Sequence, residues 1–420
     1  MIIGDYMKRA VVLSGGGSKG AYQIGVWKAL RRLGKKYDIV TGTSIGAVNG
    51  ILMVQKEYHK AEYLWKNIGF SELFDVKFDD VKTELDIYKK FAEQFIKNGG
   101  ISTTRIHDFI SKAYNEKKFY RSNIDYGIVT FSVSKMQPKI VMKSESKEKL
   151  LDYVMASSAC YPAFQSIKID DDKYVDGGYY DNLPINLAIE MGAEEIIAID
   201  LGAIGIKKTV SKNDATIISI VPKNDIGSFL MFDKKTCRKS INYGYNDTMK
   251  VFCKLDGDKY TYKKSNLIAN YTRNKDNYVN QIENVLTDYE NEIKIVDRII
   301  DLRNITDLYT KRNDENISTN MNEVIEYAGN VLGLDTTKIY DIKKYNKLLK
   351  VELLKREAFS RKYIKSYVEQ KQIKELLNTS AIIRYIYNEI MSGNDKQLEI
   401  YLLASLFPKE FLSAIYISII

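Results

Sequence analysis

An α/β domain with a mostly parallel central sheet, followed by an all-helical domain, is the architecture the sequence predicts. Three observations carry it. Over the first half, short apolar and β-branched runs alternate with helical stretches, as in strands joined by crossover helices. Beyond about residue 265, apolar residues recur every three or four positions to the end. The chain has 420 residues, too many for one ordinary core. The expected boundary is the polar stretch between Gly257 and Thr272, giving domains over 1–260 and 265–420.

The elements follow in order. Arg9–Leu13 reads as the first strand. Gly20–Leu33 reads as a helix with Val26, Trp27, Leu30 and Leu33 on one side, stopped at Gly34. Ile39–Thr43 is the second strand. Ile45–Val54 is apolar all round and so a buried helix. Residues 57–120 are charged and helical, an insertion beside the sheet. Within it Tyr88, Phe91, Ala92, Phe95 and Ile96 make an apolar stripe, which either packs on the α/β domain or forms a lid over a binding channel. Strand signals return at Tyr126–Val133, at Lys168–Ile169 and Tyr174–Val175 around a "DDD" turn, then at Glu195–Leu201 and Thr216–Val221. In the helical half, Ile282, Val285, Leu286, Tyr289, Ile293, Val296 and Ile300 keep helical spacing, as do Ile382, Ile383, Ile386 and Ile390.

Composition narrows the class. The net charge of +9 is uneven, +2 over residues 1–200 and +7 over 201–420. A mildly basic half suits an anionic surface or a solvated lysine-rich face. Cys160, Cys237 and Cys253 are odd in number and lack metal-ligand spacing, which suits a reducing, cytoplasmic location. The first residues hold no signal-like apolar core, and no window of 18 uncharged apolar residues predicts a transmembrane helix. The apolar tail, Phe411–Ile420, is too short to span a bilayer; it reads as a final buried helix or as an interfacial anchor for a peripheral membrane contact.

Three glycine-bearing motifs carry the chemistry. Gly42-Thr43-Ser44-Ile45-Gly46 is G-x-S-x-G between a strand and a helix. There the sharp turn lifts a serine hydroxyl to the carboxyl end of a sheet, and the glycines avoid clashes with neighbouring strands. Ser44 is therefore the expected nucleophile. Gly15, Gly17 and Gly20 fit G-x-G-x-x-G, which a dinucleotide fold also uses. Such a fold needs an acidic residue at the end of the second strand, where this chain has Gly42-Thr43-Ser44; Asp38 precedes that strand. A P-loop needs its lysine after the last glycine, and Lys19 precedes it. The stretch Gly15, Gly16, Gly17, Ser18, Lys19, Gly20 is thus read as a loop whose amides face an oxyanion formed at Ser44.

A base is also needed. Of the two histidines, His59 is 15 residues beyond Ser44, about 22 Å away along one continuous helix, and His107 lies in the insertion. Both read as surface or helix-packing residues. Asp176, followed by Gly177 and Gly178, sits after a strand; it is either a turn residue or a base in a dry site.

Taken together, "GGGSKG", "GTSIG" and "DGG" resemble the bacterial-type patatin-like phospholipase family. "ASSACYPAF" before the last motif, and Asn182 and Pro184 after it, share the likeness, which covers roughly residues 7–255. The resemblance implies a three-layer α/β/α sandwich and a Ser44–Asp176 dyad without histidine. It also implies hydrolysis of phospholipid or other acyl-lipid esters of the phospholipase A or lysophospholipase type, with no metal or cofactor and no nucleic-acid partner. Two alternatives stay open: a soluble esterase or thioesterase with the same dyad, and a non-catalytic lipid-binding module. The helical C-terminal half resembles nothing named, and the oligomeric state is not set by the sequence.

Overall fold

The structure, a computed structural model, describes residues 7–73, 84–98, 100–102, 104–145, 148–212, 214–287, 314–370, 376–394 and 398–420. It divides into two compact units, Met1–Phe252 and Cys253–Ile420.

In the first unit, strands β1 (Arg9–Leu13), β2 (Ile39–Thr43), β3 (Asp125–Ser132), β7 (Glu195–Ile199) and β8 (Thr216–Ile220) run parallel in the order β3-β2-β1-β7-β8. Strands β4 (Gln137–Met142), β5 (Ile167–Ile169) and β6 (Asp172–Asp176) add antiparallel pairs at the β3 end. The sheet is therefore mixed and mostly parallel. Successive side chains of β1 serve opposite faces. Val11 and Leu13 join one core with helices α1 (Ala21–Arg32), α2 (Ile45–Val54) and, through Ile241, α10 (Lys234–Val251). Ala10 and Val12 join another, with Ile185 and Ala188 of α9 (Ile185–Glu190). Helices cover both faces, which makes the three layers.

Between β2 and β3 run α3 (Tyr58–Asn67), α4 (Phe70–Leu73), α5 (Glu84–Asn98), α6 (Thr104–Ala113) and α7 (Glu116–Arg121); α8 (Leu150–Ser157) follows β4. The expected apolar stripe falls on α5. There Ile96 is 82% exposed and Phe95 is half-buried with its ring edge-on to Tyr161; the side chains of Tyr88 and Phe91 lie outside those described.

The second unit is mainly helical. It also holds a small sheet of Leu255–Asp256, Thr261–Lys263 and Ile339–Tyr340, strands too short for a sequence pattern to reveal. Its core is rich in tyrosine, with Tyr260, Tyr262 and Tyr340 all ringed around Tyr345. Ile282 and Val285 are buried as the helical spacing predicts; the part of that stripe beyond residue 287 lies outside the described residues. The tail forms the helix Pro408–Ile419, and Phe411, Ile415, Tyr416 and Ile417 are fully buried in this unit. No helix among the described residues is long and apolar enough to cross a membrane.

Candidate active site

Ser44 ends β2 and caps α2. Its backbone is left-handed (φ 55°, ψ −126°), a conformation a non-glycine residue holds at a cost of about 1–3 kcal/mol. The surroundings enforce it. The Ser44 amide donates to Ser157 Oγ at 2.9 Å, and the Ser157 hydroxyl donates to the Val129 carbonyl at 2.7 Å. Thr43 Oγ1 donates to the Asp181 carbonyl at 2.8 Å. Gly46 lets α2 start against β1: a Cβ there would meet the Leu13 carbonyl oxygen at 2.2 Å. The serine hydroxyl thus stands half-exposed over the sheet at the N-terminus of α2, where the helix favours negative charge.

Asp176 is the last residue of β6 and is 6% exposed. Its amide donates to the Ala159 carbonyl at 2.9 Å, and its Oδ1 accepts the Gly178 amide at 2.7 Å. Burial pushes the carboxyl up to about 6; hydrogen bonds from the Ser44 hydroxyl and the Gly178 amide pull the other way. Next to it, burial and the Asp176 charge push the Cys160 thiol up to about 12. Gly177 sits beneath the turn, its carbonyl accepting the amides of Tyr180 and Asp181.

The glycine loop leaves β1 and turns through Gly16 and Gly17 into a 3₁₀ turn, Gly17–Gly20. Most of its amides are engaged. Gly15 donates to the Asn182 carbonyl at 3.0 Å, Ser18 to the Phe229 carbonyl at 2.8 Å and Lys19 to the Gly16 carbonyl at 3.1 Å. The amides of Gly16 and Gly17 have no acceptor among the described residues, and these two glycines line the cavity that holds Ser44. Gly17 is left-handed (φ 54°), and a Cβ there would meet the Phe229 carbonyl oxygen at 2.1 Å. A buried polar chain props the loop from behind. Trp65 Nε1 donates to Asn49 Oδ1 (2.8 Å), and Asn49 Nδ2 donates to Gln23 Oε1 (2.8 Å) and the Gly20 carbonyl (3.1 Å). Gln23 Nε2 donates to the Ser14 carbonyl (2.8 Å).

The cavity, about 500 Å³, is lined overwhelmingly by apolar side chains. Ser44, Asp176, Gly16 and Gly17 lie on its wall. Val48 and Ile45 of α2, Trp65 of α3, Ile106, Phe109 and Ile110 of α6, and Phe229 and Phe232 supply much of the rest. Among the described side chains, the walls from the insertion come from α3, α4 and α6. Buried Asn182 also lines the cavity, and its Nδ2 has no partner among the described residues. His59 and His107 are both exposed and outside this cavity; His107 contacts Ser111 and Asp108. Among the described residues no group of three or more His, Cys, Asp or Glu side chains is placed to hold a metal ion.

The segment that contains all three motifs, residues 11–189, matches the family model described as Patatin-like phospholipase. Residues 11–189 are a patatin-like phospholipase domain. The domain is 31% identical over 197 residues to mouse (Mus musculus) patatin-like phospholipase domain-containing protein 7, a match covering 46% of this chain and 14% of that protein. It is 30% identical over 206 residues to lysophospholipase nte1 of Aspergillus terreus, covering 46% of this chain and 12% of that protein. The match therefore spans only a small fraction of the curated relatives' length. Among solved structures, VipD from Legionella pneumophila overlays with a TM-score of 0.38 at 14% identity, covering 98% of this chain and 90% of that one. The patatin-like domain takes in β1 through most of α9; the glycine loop, Ser44 and Asp176 all fall inside it, while Phe229 and Phe232 of the cavity wall lie beyond its end.

Proposed function

We propose that this protein is a serine acyl hydrolase of lipid esters, with Ser44 as nucleophile and Asp176 as its base. The carrying observation is the meeting of a strained serine, a buried carboxyl and two unengaged amides on the wall of one apolar cavity. As the Ser44 oxygen attacks the ester carbonyl, its proton passes to Asp176. The carbonyl oxygen becomes an oxyanion facing the amides of Gly16 and Gly17, aided by the N-terminus of α2. Collapse expels the alcohol, to which Asp176 returns the proton. Water, deprotonated by Asp176, then attacks the acyl-serine and releases the fatty acid. A carboxyl raised to about 6 takes a proton more readily than an ordinary one and is still ionised at neutral pH.

The cavity supports a long acyl chain over a small acyl group, because its apolar walls extend from Ser44 to α3 and α6. In this reading the first unit, Met1–Phe252, is the hydrolase domain, and α3, α4 and α6 of the insertion wall its acyl channel. The second unit, Cys253–Ile420, serves a separate role. The test is release of fatty acid from mixed phospholipid and lysophospholipid vesicles by the full chain. Wild type should release it and Ser44→Ala should not. Cleavage confined to short soluble esters would favour the esterase alternative, and no cleavage of either would favour a lipid-binding module.

A further inference from the structure

The mouth of the Ser44 cavity is edged by large apolar side chains that face water. Ile204 is 96% exposed and Ile206 53%, with Tyr179 and Tyr161 each more than 40% exposed. They form one connected rim. The Ile206 amide donates to the Gly178 carbonyl at 2.9 Å, which fixes the 203–208 loop beside the Asp176 turn. The Tyr179 hydroxyl donates to the Tyr161 carbonyl, and the Tyr161 ring sits edge-on to Phe95. Ile204, Ile206 and Tyr179 also line the cavity itself, so the rim leads directly inward to Ser44.

Exposing isoleucines costs solubility, and a chain gains nothing from a cluster of them in water. The charge beside them is basic. Lys207 and Lys208 follow Ile206; Lys207 is ion-paired with Asp200 at 2.6 Å, and exposed Lys208, its Nζ over the Tyr180 ring, adds the net positive charge. Apolar tips with a cation just behind them match the cross-section of a bilayer surface: acyl region, then headgroup phosphates.

We propose that this rim, carried by Tyr161, Tyr179, Ile204 and Ile206, is the surface by which the domain docks on an anionic phospholipid bilayer. Docking seats the cavity mouth against the membrane, so an acyl chain moves from lipid to apolar wall without crossing water. The proposal rests on the lipid-hydrolase reading for its purpose, yet it is tested without turnover.

The test uses the full chain carrying Ser44→Ala and vesicles of phosphatidylcholine with or without 30% phosphatidylserine, read by co-sedimentation. The parent should bind the anionic vesicles, and binding should weaken with salt. Ile204→Asp and Ile206→Asp should each lower partitioning at least about tenfold, since each removes one isoleucine that docking buries in the bilayer and adds a charge of the lipid's own sign. Met136→Asp, at a comparably exposed position on the β3–β4 turn, should bind as the parent does. Ile204→Trp gives a second readout: Trp27 and Trp65 are buried, so a blue shift on adding vesicles reports the new indole. The proposal is overturned if the parent does not bind, if Ile204→Asp binds unchanged, or if the emission of the Ile204→Trp variant does not shift. In each case fatty-acid release from detergent-dispersed lipid by the chain with Ser44 intact separately decides whether the hydrolase reading stands.

Discussion

Ser44 and Asp176 meet over two consecutive residues of β3: Thr43 is the register partner of Val129, and Asp176 of Thr130. Parallel pairing from β2 and antiparallel pairing from β6 thus bring the hydroxyl to the carboxyl. The contact is fixed by backbone ladders rather than by flexible side chains. As the proposed base, Asp176 works only when ionised. With its carboxyl at about 6, kcat/KM should fall tenfold per pH unit below about pH 6 and level off above it. Initial rates on a soluble ester between pH 4.5 and 8 check this. Asp176→Asn should abolish turnover at every pH.

The same burial has a stability signature. Asp176 has a folded-state value raised from 3.8 to about 6. The folded chain therefore holds a proton that the unfolded chain releases, and stability falls as pH rises through that window. Above about pH 6 the deficit is constant, about 3 kcal/mol if fully realised. Asp176→Asn removes it. Relative to wild type, the variant should gain stability between pH 4 and 6 and keep that gain to pH 8, measured by urea unfolding at each pH.

Gly17→Val should cut kcat by at least 10²–10³-fold, the range for losing one oxyanion donor. Its Cβ would collide with the Phe229 carbonyl oxygen, and its left-handed backbone resists a β-branched residue. The amide would turn from the cavity. Near-UV circular dichroism separates this from general unfolding, and a bound nucleotide lost on substitution would revive the dinucleotide reading.

His59→Ala and His107→Ala should each retain activity within about twofold, because both imidazoles are exposed and neither lines the cavity. A folded His107→Ala variant without turnover would refute Asp176 as the base.

The parts of this design visible in the sequence are those where one residue type has few substitutes. Arg9–Leu13 and Ile39–Thr43 read as strands with their observed bounds, because short β-branched runs buried on both faces have no helical alternative. Strand β4 gives no such signal: of its six residues only Val141 is fully buried, and Gln137, Pro138 and Lys139 read as turn or surface. Strand β6 reads short because it starts at Asp172, a carboxylate that accepts the Ser132 hydroxyl at 2.6 Å. The supports of the site are hidden for a related reason. Ser157 reaches Ser44 across 113 residues of sequence through a single backbone amide, and Asn49 bonds Gly20 and Gln23 on one segment and Trp65 on another. Periodicity finds an apolar face on α5 without saying whether that face packs on the domain or covers the channel; the described wall includes Trp65, Ile106 and Phe109.

Covalent labelling tests the central claim most directly. The full chain is treated with a fluorophosphonate at pH 7.5, digested, and the adduct located by mass spectrometry. The account predicts one phosphonylated residue, Ser44, with labelling slowed at least a hundredfold in Asp176→Asn and in Gly17→Val. An adduct on another side chain, or none on a folded chain that still cleaves esters, would contradict it.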